Sequence, residues 1–139
     1  MLEQEVASII SYILDRSKLE HYYVDTIPES FSYPAVYFPA PELDTSYSTL
    51  SAYSVYYRMA VRFFDVKNQS AYHLAQKVIN ALIAERNRIP LLDIYGSKIG
   101  AFFKVNRTDV KRIDIGVYGF NIEWESIRKF DDIPLKNKR

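Results

Sequence analysis

The stretch Tyr53-Ser54-Val55-Tyr56-Tyr57-Arg58-Met59-Ala60-Val61-Arg62-Phe63-Phe64 decides how the rest of this chain is read. Tyr53, Val55, Tyr57, Met59, Val61 and Phe63 alternate with Ser54, Tyr56, Arg58, Ala60, Arg62 and Phe64. Successive side chains of a strand point to opposite faces, so the alternation predicts a strand of about 12 residues with one wholly apolar face. The opposite face is not ordinary solvent-facing material, because Tyr56 and Phe64 share it with Arg58 and Arg62. Tyr and Arg are enriched where proteins meet, since they bury much area while keeping a polar handle. This face is expected to meet another chain, the alternative being a helix of the same chain laid across it.

Working upstream, residues 42–51 read ELDTSYSTLS, polar and small, and suit a loop or a long hairpin tip. Ala35-Val36-Tyr37-Phe38 precedes it as a short strand, which Pro39 and Pro41 end or confine to an edge. Glu20 to Pro34 lacks a clean period and reads as an ordered connection. Leu2, Val6, Ile9, Ile10, Ile13 and Leu14 recur at helical spacing and predict an amphipathic helix over 2–18, with Glu3, Gln4, Ser11, Asp15 and Lys18 outside.

Downstream, Ala71, Leu74, Ala75, Val78, Ile79, Leu82 and Ile83 form the stripe of a second helix. Asn68 or Ser70 is its expected cap, and Glu85-Arg86-Asn87-Arg88 with Pro90 closes it. Ile99 to Thr108 predicts a strand with Ile99, Ala101, Phe103 and Val105 on one side. A last strand over 115–127 places Tyr118, Phe120, Ile122 and Trp124 together, and the polar run from Arg107 to Asp114 joins the two as a hairpin. Tight turns or close packing are the expected uses of Gly96, Gly116 and Gly119. The order α-β-β-α-β-β implies an α+β fold, a sandwich-like arrangement of an antiparallel sheet with two α-helices packed on one face. Residues 1–130 form the single expected domain and 131–139 a flexible, fraying tail.

Composition agrees with one domain. The chain has 139 residues, 48% hydrophobic and 25% charged, with 18 basic against 17 acidic side chains. At this length roughly 68–70% of the unfolded surface can be buried in a single core. A formal charge of +1 supplies no global attraction to nucleic acid, anionic lipid or acidic substrates. The absence of cysteine excludes disulfides, thiolate nucleophiles and cysteine metal sites. No segment approaches the roughly 20 apolar residues of a spanning helix, and the first residues do not resemble a secretory signal, so a protein made and kept in a cytoplasm is expected.

Tests for catalytic chemistry converge on nothing. His21 and His73 lie on separate elements without ligand spacing, and Ser126-Ile127-Arg128-Lys129 matches Ser-x-x-Lys without the motifs that accompany it in acyl-transfer enzymes. The glycines do not form a phosphate-binding fingerprint. Glu123 and Glu125 alternate with Trp124 and share one strand face, but they lack the environmental asymmetry that splits a catalytic carboxylate pair, and read as an acidic strip. Lys104, Arg107, Lys111 and Arg112 are diluted by Asp109 and Asp114 and lack interleaved aromatics, which favours solubility or ion pairing to a neighbour over a nucleic-acid contact. No catalytic residue, metal ligand or cofactor is expected. The other possibility is a small enzyme or ligand-binding module whose site forms from residues distant in sequence.

Several segments taken together carry a resemblance. They are the first helix, Ile27-Pro28-Glu29-Ser30-Phe31-Ser32-Tyr33-Pro34-Ala35-Val36-Tyr37-Phe38, the Tyr56–Phe64 strand, the Ala-rich helix, and Arg112-Ile113-Asp114-Ile115-Gly116-Val117-Tyr118-Gly119-Phe120. This pattern resembles the tail terminator or tail completion (minor tail) proteins of long-tailed bacteriophages and prophages, over nearly the whole chain. The resemblance implies a non-enzymatic virion subunit, made in the bacterial host cytoplasm. Such a subunit assembles with itself into a ring, usually a hexamer, on the end of the tail tube. It stops tube growth and presents a head-joining surface. Its expected partners are further copies of itself, the tail tube protein and a head-completion or connector protein, with DNA only in transit through the lumen and no membrane. Under that reading Tyr56, Arg58, Arg62 and Phe64 are assigned to the subunit contact, and Glu123 and Glu125 to an acidic strip facing the lumen or the ring. A neck or head–tail connector protein is the alternative within the same biology.

Overall fold

The computed structural model describes residues 2–48 and 52–129, with backbone alone for 44–48 and 127–129. The expected tail at 131–139 and the tip of the expected loop at 49–51 lie outside the described residues. The elements are α1 (Leu2–Ser17), β1 (His21–Val24), β2 (Ala35–Phe38), β3 (Glu42–Ser48), β4 (Ala52–Phe64), α2 (Asn68–Ala84), β5 (Arg88–Leu92), β6 (Lys98–Arg107), β7 (Lys111–Asp114) and β8 (Val117–Lys129).

The long alternating stretch is β4, and its antiparallel partner is β8, in unbroken register from Ala52 opposite Lys129 to Phe64 opposite Val117. Around this pair the sheet runs β1-β2-β4-β8-β6-β5. On the free side of β4, β3 pairs with the first half and β2 with the second. β7 folds back onto the start of β8. Every pairing is antiparallel except β1 with β2. Residues 42–48 are therefore a strand where a loop is expected, and β1, β5 and β7 also arise within segments read as connections. Short edge strands of mixed polarity take their order from the neighbouring ladder, so their own side-chain pattern carries little signal.

Both helices pack on one sheet face, as the α+β reading requires. Met59, Val61, Phe63, Phe120, Ile122 and Trp124 are buried against Ile9 and Ile13 of α1 and Val78 and Leu82 of α2. Each fully buried side chain of this kind contributes about 1.5–3 kcal/mol relative to exposure.

The buried side of α1 is turned from the one its apolar residues mark, because it includes Glu5, Ser8, Tyr12 and Ser17. Each is hydrogen-bonded, which is the condition for burying a polar group at tolerable cost. The Trp124 indole Nε1–H donates to Glu5 Oε1 at 3.2 Å. Ser8 Oγ accepts from the Leu92 backbone N–H at 2.9 Å. Ser17 Oγ donates to the Ile13 carbonyl at 2.7 Å. Tyr12 Oη donates to Glu85, just past α2, and Arg16 grips the same carboxylate through Nη2 at 2.8 and 2.9 Å. These contacts tie the two helices together. The hydrogen bond from Tyr12 and the Arg16 charge hold the Glu85 carboxyl below its ordinary pKa, while burial and the same carboxylate push the Tyr12 phenol up.

Neither expected residue caps α2. Lys67 occupies the cap position without a side-chain bond, and Asn68 instead accepts a hydrogen bond from the Gly116 N–H in the β7–β8 turn. At the other end Arg86 and Asn87, both at φ +58, swing the chain into β5. Pro90 does not merely close the helix, since it lies within β5, an edge strand where a missing donor is tolerated.

β6 departs from the expected alternation. Phe103 and Val105 face the core, but Ile99 and Ala101 are exposed. The β5–β6 register explains this: Pro90 faces Phe102 and Leu92 faces Lys98, so extra residues of β6 bulge out around Gly100, whose φ is +81. β6 pairs with β8 only over 105–107 and with β5 alone beyond that, forming a ribbon that leaves the main sheet. Gly119 shows the opposite use of glycine, a close approach: a Cβ there would run into the Val61 carbonyl and the Arg62 side chain, which lies across it.

Three outcomes follow for unfolding measurements. Glu5→Leu leaves the buried Trp124 N–H without an acceptor and is expected to lower stability by about 1–3 kcal/mol in urea unfolding, whereas Glu5→Gln keeps an acceptor and costs less. Gly119→Ala overpacks the ladder and is expected to cost about 1–3 kcal/mol. The third concerns pH. Because the folded-state pKa of Glu85 is depressed, its stabilisation is full above the unfolded glutamate value and is lost as pH falls through the folded one. Glu85→Gln is expected to flatten the acid side of a stability–pH profile below about pH 4.3; an unchanged profile counts against this coupling.

Candidate functional site

Cross-strand partners share a sheet face. The β4–β8 register therefore sets Tyr56 opposite Glu125, Arg58 opposite Glu123, Arg62 opposite Gly119 and Phe64 opposite Val117, all on the face away from the helices. Residues that the sequence divides between a subunit contact and a separate acidic strip thus form one continuous surface. Tyr56, Arg58, Arg62, Phe64, Glu123 and Glu125 are each half-buried. No described helix of this chain lies across them.

The surface has three zones. At one end the segment between β1 and β2 supplies Phe31, whose ring packs on Phe64 at 5.3 Å, on Tyr33 at 4.9 Å and on Tyr23 at 6.0 Å between centroids. The chain itself therefore covers part of Phe64. In the middle, Arg62 lies over Gly119 and donates through Nη1 to the Val61 carbonyl at 3.1 Å. Burial lowers the pKa of this guanidinium, which nevertheless remains charged at neutral pH. Arg58 leans toward β3 and meets Glu42 at 3.4 Å. At the far end Tyr56, Glu123 and Glu125 join Lys104 and Asn106 of β6 around a shallow recess of about 360 Å³.

Phe31, Glu42 and Asn106 complete the site and are missed by reading the sequence, and Lys104, read there as part of a separate basic patch, joins them. The crowding of aromatics between Tyr22 and Phe64 is a signal for the first. The others enter through strand pairings that leave no mark in their own segments.

This surface gathers aromatic, guanidinium and carboxylate groups on one sheet face. Among the described residues no three His, Asp or Glu side chains gather as a metal site. His21 is exposed on β1, and His73 is exposed on α2 beside the Tyr72 ring. Ser126 is buried on the core side of the sheet. The Glu85 carboxyl is held ionised by Tyr12 and Arg16, the reverse of what a general acid needs. A smaller recess of about 190 Å³ between α1 and β5 is bordered by Arg16, whose guanidinium is already committed to Glu85. No helix among the described residues is long and apolar enough to cross a membrane.

No protein-family model matches the chain. It is 28% identical over 113 residues to uncharacterized protein YqbJ of Bacillus subtilis (strain 168), an alignment covering 81% of this chain and 77% of that protein. It is 26% identical over 125 residues to phage-like element PBSX protein XkdJ of the same bacterium, covering 90% of this chain and 85% of that protein. Over most of its length, then, this α+β chain is similar to a protein of a phage-like element.

Proposed function

We propose that this chain is a tail terminator: a virion subunit that forms a ring on the end of a phage tail tube, stops its polymerisation and offers the head-joining surface. The observation that carries the reading is the open face of the β4–β8 ladder, where Tyr, Arg and Glu side chains stand together without a helix above them. Such a face is an interface in waiting, because its aromatic and guanidinium groups gain most from burial against a partner. Similarity to a protein of a phage-like element supplies the biological setting. A contact between two unlike surfaces closes into a ring when its rotation allows, which is how identical subunits cap a tube.

In this reading the Tyr56, Arg58, Arg62 and Phe64 part of the face meets a neighbouring subunit. Glu123 and Glu125 border the lumen or the ring surface, where their negative charge keeps transiting DNA from adhering. The role is non-enzymatic and needs no cofactor.

Light scattering at micromolar concentration is expected to report an oligomer that Arg58→Glu with Arg62→Glu reduces to monomers. A wild-type monomer that also fails to bind tail tubes rejects the reading. Electron microscopy of tails made without this protein separates terminator from connector: overlong tubes support the terminator, while normal-length tails without heads mean a connector.

A further inference from the structure

The two lateral edges of the sheet differ in charge and both expose large apolar side chains. β1 and β2 form one edge, and the β5–β6 ribbon forms the other. From Leu19 to Tyr57 the sequence has no Lys or Arg, yet it includes Glu20, Asp25 and Glu29 around β1 and β2. All three are exposed. The ribbon from Arg86 to Lys104 has the opposite balance, with Arg86, Arg88, Lys98 and Lys104 against Asp93 alone. Its four cations are exposed. Asp93 is occupied within the turn, where it accepts from the backbone N–H groups of Tyr95 and Ser97.

Apolar side chains accompany the charges at both edges. The ribbon presents Ile94, Tyr95, Ile99 and Phe102, with Tyr95 86% and Phe102 59% exposed. The bulge at Gly100 helps to place Ile99 in the open. Arg86, Arg88 and Lys104 line a groove of about 380 Å³ floored by Phe102 and Phe103, and the Arg88 guanidinium stands 5.6 Å from the Phe102 ring. The opposite edge exposes Tyr22, Val24, Ile27 and Tyr33. Tyr33 belongs to the aromatic cluster that reaches Phe64, so this edge is continuous with the open face.

From these features we infer that the ring contact is made edge to edge: the basic, apolar-tipped β5–β6 ribbon of one copy seats on the acidic, aromatic β1–β2 edge of the next. The inference rests on the ring reading and names the two unlike surfaces that such a contact requires. Opposite charge on the two edges favours this pairing and disfavours edges of the same kind meeting, which directs assembly toward a head-to-tail closed ring and away from a two-fold dimer. The apolar side chains supply the area that loses water. Two cations stand near the receiving side: Lys18, two residues before Glu20, which pairs with Asp15 at 3.6 Å, and Arg62, which lies flat over Gly119 in register with Tyr37 of β2.

Charge exchange tests this directly. Arg88→Glu with Lys104→Glu, and separately Glu20→Lys with Glu29→Lys, are each expected to remove the oligomer seen by light scattering while leaving circular dichroism and Tm close to wild type. Mixing the two variants in equal amounts is expected to restore it, since each then meets a complementary edge. Tyr95→Ser, a change at an exposed position, is expected to weaken self-association even if a charge variant fails to fold. An oligomer unaffected by all three variants, or no recovery on mixing, overturns the edge-to-edge contact while leaving the ring reading intact. A wild-type monomer unable to bind tail tubes rejects that reading and this contact with it. Ribbon variants that keep the oligomer but lose retention of double-stranded DNA would assign the groove to nucleic acid and also overturn the inference.

Discussion

The ladder between β4 and β8 is the constraint on which the rest of the molecule depends. Thirteen residues of each strand meet in unbroken antiparallel register. Because side chains alternate with period two, that register sorts the two strands into a face for the core and a face for something else. A slip of one residue in either strand would exchange its entire set, moving Arg58 and Arg62, or Glu123 and Glu125, toward the helices and exposing the apolar set in their place. The burial of Met59, Val61, Phe63, Phe120, Ile122 and Trp124 makes that exchange very unfavourable.

The helix layer reinforces the choice of face through polar as well as apolar contacts. Glu5 beneath the Trp124 indole, Ser8 at the β5 backbone, and Tyr12 with Arg16 at Glu85 give α1 a single rotational setting. Apolar packing alone tolerates small rotations of a helix; a hydrogen bond to a buried indole does not, because misalignment leaves a desolvated donor unpaired. With both helices held to one side, the opposite face is left with Arg62 laid across Gly119 and Arg58 reaching Glu42. The groups gathered there are aromatic, cationic and acidic, on a chain that is similar over most of its length to a protein of a phage-like element. The proposed ring follows from giving this face and the two unlike sheet edges a common partner, another copy of the chain.

What could be read in advance followed the strength of the local pattern. The alternation of residues 53–64 and the stripe from Ala71 to Leu82 each span several repeats of their period, and both elements form where the pattern places them. The strip at 42–48 has no such repeat and becomes a strand through its pairing with β4. Ile99 and Ala101 mislead for a related reason: alternation within one strand does not reveal a bulge set by the partner's register. At the candidate site, the residues expected on β4 and β8 share a face, but their meeting depends on a ladder that joins positions 56 and 125 or 58 and 123.

The sequence alone determined that this is an α+β chain built around one long amphipathic strand, that one side of that strand is unlike a solvated surface, and that thiol chemistry is excluded by composition. These are properties of neighbouring residues and of counts, and periodicity exposes them directly. Only the tertiary structure decided that the Tyr–Arg and Glu sets are one surface, that Phe31 covers one end of it, and that acidic and basic residues occupy opposite edges of the sheet. Each of those facts is a distance between segments remote in the chain, fixed by strand order, register and the hydrogen bonds of buried polar side chains, which no local pattern encodes.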